Sequence, residues 1–153
     1  MMSPAFEIIE RLQGKTLATA ESCTGGAVGA ALTAVAGASR VYKGGIVSYC
    51  NEVKQELLHV SAEILEQYGA VSAPVAEAMA VGARKMLYAD VAVSVTGLAG
   101  PAGDEYGNPV GTVYIAYADE KICISRRFLF EGDRDFVRIQ SVNAALELIL
   151  ENC

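Results

Sequence analysis

Thr16-Leu17-Ala18-Thr19-Ala20-Glu21-Ser22-Cys23-Thr24-Gly25-Gly26 is the stretch on which the reading of this chain turns. Its first five residues make a short apolar strand ending on Glu21, and the residues after it, Ala27 to Val35, are small and apolar as in a closely packed helix. A strand that passes into a helix over two glycines displays whatever stands on the turn between them. Here that is Ser22. The glycines also let a ligand approach backbone N–H groups at a helix N-terminus, where an oxyanion or a phosphate can be held. A plainer reading stays open on this stretch alone, with Ser22 or Thr24 serving only as the helix cap.

Working outward, Phe6, Ile8, Ile9 and Leu12 recur at helical spacing and Gly14 closes that first helix. Val41 to Tyr49 reads as a strand interrupted by a bulge at Gly44-Gly45. Two short helices follow over 51–58 and 61–68. Ser72 caps a longer helix, with Pro74 in its first turn, that runs to about Tyr88 and buries Ala76, Met79, Ala80, Ala83 and Leu87. Asp90 to Thr96 is a continuous apolar run, the pattern of a strand covered on both faces. The loop Gly97 to Val110 holds many glycines and prolines and follows the carboxyl end of that strand, where α/β sheets bind ligands. Gly111–Ala118 and Lys121–Phe130 form a hairpin about Asp119-Glu120, and Asp133 caps a final amphipathic helix. The expected fold is α/β: a three-layer α/β/α domain with a mixed, mostly parallel sheet carrying an antiparallel hairpin.

A chain of 153 residues, 52% hydrophobic and 20% charged, is read as one domain over residues 1–153. No apolar run approaches the roughly 18 residues of a membrane span, and the N-terminus lacks the pattern of a signal peptide, so a cytoplasmic protein that meets no membrane is expected. Cys23, Cys50, Cys123 and Cys153 are scattered without a CxxC pair, which points to reduced thiols rather than to a zinc site or a disulfide framework. A net charge of -6 argues against nucleic acid as a partner. An anionic ligand would need a local basic pocket.

Gly45-Ile46-Val47-Ser48-Tyr49-Cys50-Asn51-Glu52-Val53-Lys54 supplies candidates for such chemistry, since a strand end delivers Tyr49 and the next helical turn delivers Asn51 and Lys54. A serine needs a base to become a nucleophile. The single histidine, His59, lies in the run Leu57-Leu58-His59-Val60 and reads as a core or helix-surface residue. That leaves Lys54: desolvated, it can accept the Ser22 proton, with Tyr49 relaying it or orienting the amine; left in solvent, it is an ordinary helix lysine. Cys23 is a rival nucleophile, ranked below Ser22 for want of a nearby histidine. Arg134 and Arg138, four apart at a helix start, form either an anion clamp or a charged surface facing Glu131 and Asp135.

Taken together, ESCTGG at 21–26, GIVSYCNEVK at 45–54, SAPVAEAMAVGAR at 72–84, TGLAGPAG at 96–103, NPVGTVY at 108–114 and FEGDRDFVR at 130–138 resemble, in that order, the nicotinamide-nucleotide amidase family, the C-terminal domain of the competence-damage-inducible protein CinA. The resemblance implies hydrolysis of the carboxamide of nicotinamide mononucleotide to nicotinate mononucleotide and ammonia in pyridine-nucleotide recycling, without metal or cofactor, by a homodimer or larger homo-oligomer. It implies Ser22 as the nucleophile, Tyr49 and Lys54 as its activating partners, and Thr24, Gly25 and Gly26 as ligand-contacting backbone, with N–H groups near Gly25 stabilising the oxyanion. The ribose phosphate would lie along Thr96, Gly97 and Gly100, with Arg134 or Arg138 on its oxygens, and Asn51 at the same site. The chain departs from the family after Gly100-Pro101, where Ala102 replaces a frequent glycine and Asp104-Glu105-Tyr106 bring acidity that would repel a phosphate. CinA's N-terminal nucleotide-processing domain has no counterpart in these residues, as in the stand-alone form. A non-catalytic nucleotide-binding module and a hydrolase of another small amide or ester are the competing readings.

Overall fold

The computed structural model describes residues 2–153. Ser3 accepts the Phe6 N–H at 3.2 Å and opens α1 (Pro4–Arg11). There follow β1 (Leu17–Glu21), α2 (Ala27–Thr33), a single 3-10 turn at Ala38–Arg40, β2 (Tyr42–Val47), α3 (Asn51–Leu58), α4 (Ala62–Tyr68), α5 (Ala73–Met86), β3 (Val91–Gly97), β4 (Thr112–Ala118), β5 (Cys123–Leu129) and α6 (Arg134–Asn152). Ser72 and Asp133 cap α5 and α6 through the N–H groups of Val75 and Phe136, as side chains that accept at the third helical residue do.

The sheet order is β2-β1-β3-β4-β5. β1 pairs in parallel with β2 and β3, while β4 is antiparallel to both of its neighbours, so β4 alone runs against the rest. The α/β class, the mixed sheet and the hairpin are as expected. β1 and most of β3 are buried, because helices cover both faces. Successive residues of β1 serve opposite sides. Leu17 joins Ile8, Val28, Leu32, Val93, Val95, Ile115 and Ile149 in the core under α1, α2 and α6. Ala18 and Ala20 face Leu58, Leu65, Val75 and Met79 under α3, α4 and α5.

The bulge stands where two glycines announce it: Leu17 pairs with Tyr42 and Ala18 with Gly44, leaving Lys43 extra, and Gly44 takes φ +148. Several boundaries differ from expectation, β5 among them, which begins at Cys123 rather than Lys121. α2 stops at Thr33, and the 3-10 turn after it was not foreseen. α5 ends at Met86, because Leu87 closes it and Tyr88 turns left-handed at φ +51 to reverse the chain into β3. β2 ends at Val47, where the Ser48 N–H makes a last bond to the Glu21 carbonyl and the chain swings into α3. The carboxyl ends of β1, β2 and β3 therefore meet at one edge, beside the loop that follows Gly97.

Candidate active site

Glu21 closes β1 with its side chain turned inward and only 2% exposed. Its Oε1 accepts the Thr24 hydroxyl at 2.7 Å, the Gly26 N–H at 3.2 Å and the Val28 N–H at 2.8 Å, and Oε2 accepts the Gly29 N–H at 3.0 Å. The carboxylate thus fills the place an anion would take at the start of α2. Gly26 stands at the N-cap with φ +104 and Gly25 before it at φ +59, a sequence of left-handed residues that favours glycine twice. Neither Ser22 nor Thr24 caps the helix. The expectation that Thr24, Gly25 and Gly26 offer backbone to a ligand is corrected for the same reason: the Gly25 N–H donates to the Ser22 carbonyl at 3.1 Å, the Gly26 N–H is held by Glu21, and none of the three residues borders the cavity. A carboxylate ending an otherwise apolar strand, just ahead of a helix start, was the signal for Glu21.

Ser22 stands beside a cavity of about 250 Å³ bounded by the ends of β1 and β3, the segment from β2 into α3, and the glycine-rich loop. Tyr49, Asn51, Lys54, Thr96, Gly97, Gly100 and Arg134 border it as well. Lys54, on the first turn of α3, is 1% exposed. Its amine donates to the Ser48 carbonyl at 2.6 Å and to the Ser22 hydroxyl at 3.0 Å. Burial pulls its pKa down to about 8, against a weaker opposing influence from Cys50 and Cys23. Serine and lysine therefore form a dyad in which the amine can lose its proton near neutrality. The Ser48 hydroxyl beside it is buried without a partner in the protein. Burial pushes the Cys23 thiol up to about 11, against the pull of its own backbone N–H and of Arg138 and Lys54, so this sulfur stays protonated and is a poor nucleophile. His59 ends α3 at φ +57, exposed and away from the cavity.

The two arginines part company. Arg134 lies at the exposed rim and donates to the Gly100 carbonyl at 2.6 Å and to the Tyr49 hydroxyl at 3.0 Å, joining the two segments that flank the entrance. The Tyr49 hydroxyl bonds to Arg134 rather than to Ser22 or Lys54. Arg138, one turn on, does not border the cavity, which corrects its assignment as a phosphate contact: it lies behind the serine turn, donating to the carbonyls of Cys23 at 3.0 Å and Thr24 at 3.2 Å. The Thr96 hydroxyl is spent on the Ala70 carbonyl at 2.9 Å. In the loop, the Asp104 carboxylate accepts the N–H groups of Tyr106 and Asn108 and the Asn108 amide, while the Tyr106 hydroxyl donates to the Glu66 carbonyl at 2.7 Å. Of residues 102–106 only Ala102 borders the cavity, and the Asp104 carboxylate is spent on N–H groups within the loop itself. Among the described residues, no cluster of His, Cys, Asp or Glu is arranged to hold a metal ion, and no helix is long and apolar enough to cross a membrane.

The chain is 50% identical over 146 residues to a CinA-like protein of Citrifermentans bemidjiense, covering 95% of this chain and 35% of that one. With a CinA-like protein of Geobacter sulfurreducens it shares 48% identity over 137 residues, 90% of this chain and 33% of the relative. The chain spans about a third of the length of these curated relatives. Among solved structures, a CinA superfamily protein from Escherichia coli superposes with TM-score 0.96 at 37% identity, over 98% of this chain and 88% of that one. The competence/damage-inducible protein CihA from Agrobacterium tumefaciens does so with TM-score 0.90 at 36% identity, over 99% and 96%. The model of the CinA C-terminal domain matches residues 4–153, and the chain belongs to that family.

Proposed function

We propose that this domain hydrolyses the carboxamide of nicotinamide mononucleotide, giving nicotinate mononucleotide and ammonia, with Ser22 as the nucleophile. The observation that carries the reading is the 3.0 Å contact between the buried Lys54 amine and the Ser22 hydroxyl on the wall of the cavity. The resemblance of the motifs to the amidase family supplies the substrate. At its size the cavity admits one aromatic ring, and a ribose phosphate would extend outward to Arg134, whose guanidinium suits phosphate oxygens.

With a pKa of about 8, Lys54 is neutral in about one molecule in ten at pH 7. In that form its lone pair takes the Ser22 proton as Oγ attacks the carboxamide carbon, while the bond to the Ser48 carbonyl holds the amine in place. The tetrahedral oxyanion needs a donor, and among the described residues the N–H of Cys23, which borders the cavity, donates to no other residue. Lys54 returns its proton to the leaving nitrogen, ammonia departs, and Ser22 is left as the acyl ester. Water, deprotonated by Lys54, cleaves the ester to the carboxylate and restores the serine. When Arg134 turns to the phosphate it releases the Tyr49 hydroxyl, which can then take part in proton transfer at the amine.

The test is ammonia release from nicotinamide mononucleotide by the purified protein, with and without a chelator, and with Ser22→Ala as control. Chelator-resistant release that disappears in Ser22→Ala is the expected result. Full release by Ser22→Ala would remove Ser22 as the nucleophile. No release from the wild type, together with thermal stabilisation by the nucleotide, would make the domain a binding module instead.

A further inference from the structure

The turn that carries Ser22 is held from two sides by opposite charges. The Glu21 carboxylate gathers the N–H groups of Gly26, Val28 and Gly29 and the Thr24 hydroxyl. From the far side Arg138 reaches out of α6, its Nε to the Cys23 carbonyl at 3.0 Å and its Nη2 to the Thr24 carbonyl at 3.2 Å. Arg138 belongs to neither ion pair found among the described residues, so its directed bonds go to main chain.

A trans peptide unit is planar, with its C=O and N–H pointing in opposite directions. Holding the Thr24 carbonyl therefore turns the Gly25 N–H the other way, and that N–H donates to the Ser22 carbonyl at 3.1 Å. The second bond holds the peptide between Ser22 and Cys23, whose N–H is the one that belongs to Cys23. Holding the Cys23 carbonyl likewise turns the Thr24 N–H away from Arg138. Of the two N–H groups so directed, that of Cys23, the residue directly after Ser22, donates to no other residue. Cys23 borders the cavity.

We propose that Arg138 is a positioning residue that, with Glu21 holding the turn from the other side, sets the peptide planes after Ser22 so that the Cys23 N–H receives the carboxamide oxygen as it becomes an oxyanion. This rests on the reading of Ser22 as an amidase nucleophile. It is distinct from a phosphate contact, because Arg138 does not border the cavity and points its Nε and Nη2 donors at main-chain carbonyls. Loss of Arg138 should then slow the chemical step on any substrate of Ser22, phosphorylated or not.

The experiment compares Arg138→Ala and Arg138→Lys with wild type and Ser22→Ala on two substrates: nicotinamide mononucleotide, and p-nitrophenyl acetate as a phosphate-free probe of Ser22 acylation. Arg138→Ala is expected to lower kcat on the nucleotide by about 100-fold, the size of effect seen when an oxyanion donor is lost, with KM nearly unchanged, and to slow the ester similarly. Arg138→Lys, which keeps a donor near the carbonyls, and millimolar guanidinium added to Arg138→Ala should each restore part of the rate. A raised KM for the nucleotide with kcat and ester rate unaltered would identify a phosphate contact and overturn the proposal. If the wild type releases no ammonia, the amidase reading fails and the ester decides alone: a Ser22-dependent rate slowed in Arg138→Ala upholds the positioning role, and an unaltered one ends it.

Discussion

The amine of Lys54 lies 3.0 Å from the hydroxyl of Ser22, across 32 positions of sequence, with both side chains withdrawn from solvent. The pair joins the end of β1 to the first turn of α3. Its chemistry follows from one number, a lysine pKa lowered to about 8 by burial.

Because only the neutral amine can accept the serine proton, kcat/KM should rise with pH along a limb centred near 8. Lys54→Arg, protonated at every accessible pH, should abolish that limb and the activity with it. Stability moves in the same window. The folded-state pKa of about 8 lies below the ordinary 10.5, so protonation opposes folding below pH 8 and the opposition fades between 8 and 10.5. Urea unfolding at pH 7.5 and pH 10.5 should find wild type gaining about 1–3 kcal/mol relative to Lys54→Met across that interval. A constant difference would mean that the buried amine titrates normally.

Arg134 spans the rim by donating to the Gly100 carbonyl and the Tyr49 hydroxyl. Arg134→Ala should raise KM for nicotinamide mononucleotide by roughly 10–100-fold through loss of a charge-assisted contact, and leave the phosphate-free nicotinamide riboside little altered. Steady-state kinetics on the two substrates read this directly, and equal losses on both would take Arg134 off the phosphate.

Cys23 stands next to the nucleophile but keeps its proton, its pKa raised to about 11. Cys23→Ala should retain activity within about tenfold, since no thiolate is available to act at neutral pH. Iodoacetamide at pH 8 should modify the exposed Cys50, Cys123 and Cys153 and spare the buried Cys23, as peptide mapping of the alkylated protein would reveal.

Gly82 sits inside α5 where that helix crosses the end of α3, and a Cβ there would overlap the Leu58 carbonyl oxygen. The neighbour is backbone and cannot swing aside. Gly82→Ala should therefore cost about 1–3 kcal/mol and lower Tm, despite alanine's better helix propensity. Thermal unfolding of the single variant is sufficient, and an unchanged or raised Tm would mean that α3 yields easily.

Much of the fold was legible because its determinants are local. Ser72, Asp133 and the apolar stripe of α5 are signals that a side chain sends to residues three or four away, and the elements begin where those caps stand. The 3-10 turn at Ala38–Arg40 and the early end of α5 carried no comparable signal; Tyr88 adopts its left-handed turn to bring the chain back into the sheet. In the site, the expected Ser22, Tyr49, Asn51, Lys54 and Arg134, read from strand ends and motif spacing, and Thr96, Gly97 and Gly100, implied by the family resemblance, all border one cavity. Thr24, Gly25, Gly26 and Arg138 fell outside it. Spacing cannot tell which side of a turn faces solvent, nor that a neighbouring carboxylate has already claimed the N–H groups.

The sequence alone determined the order of the helices and strands, the caps at Ser72 and Asp133 and the bulge at Gly44-Gly45, because those rest on interactions within a few residues. The tertiary structure decided the proton affinity of Lys54, the filling of the α2 N-terminus by Glu21 and the separate tasks of Arg134 and Arg138. Each of these depends on what lies opposite a side chain once the sheet has closed. Arg134 and Arg138 share a helix one turn apart, yet one meets the rim of the cavity and the other the underside of the serine turn. Burial and long-range hydrogen bonding are properties of the packed chain, and they turn a serine and a lysine 32 positions apart into a reactive pair.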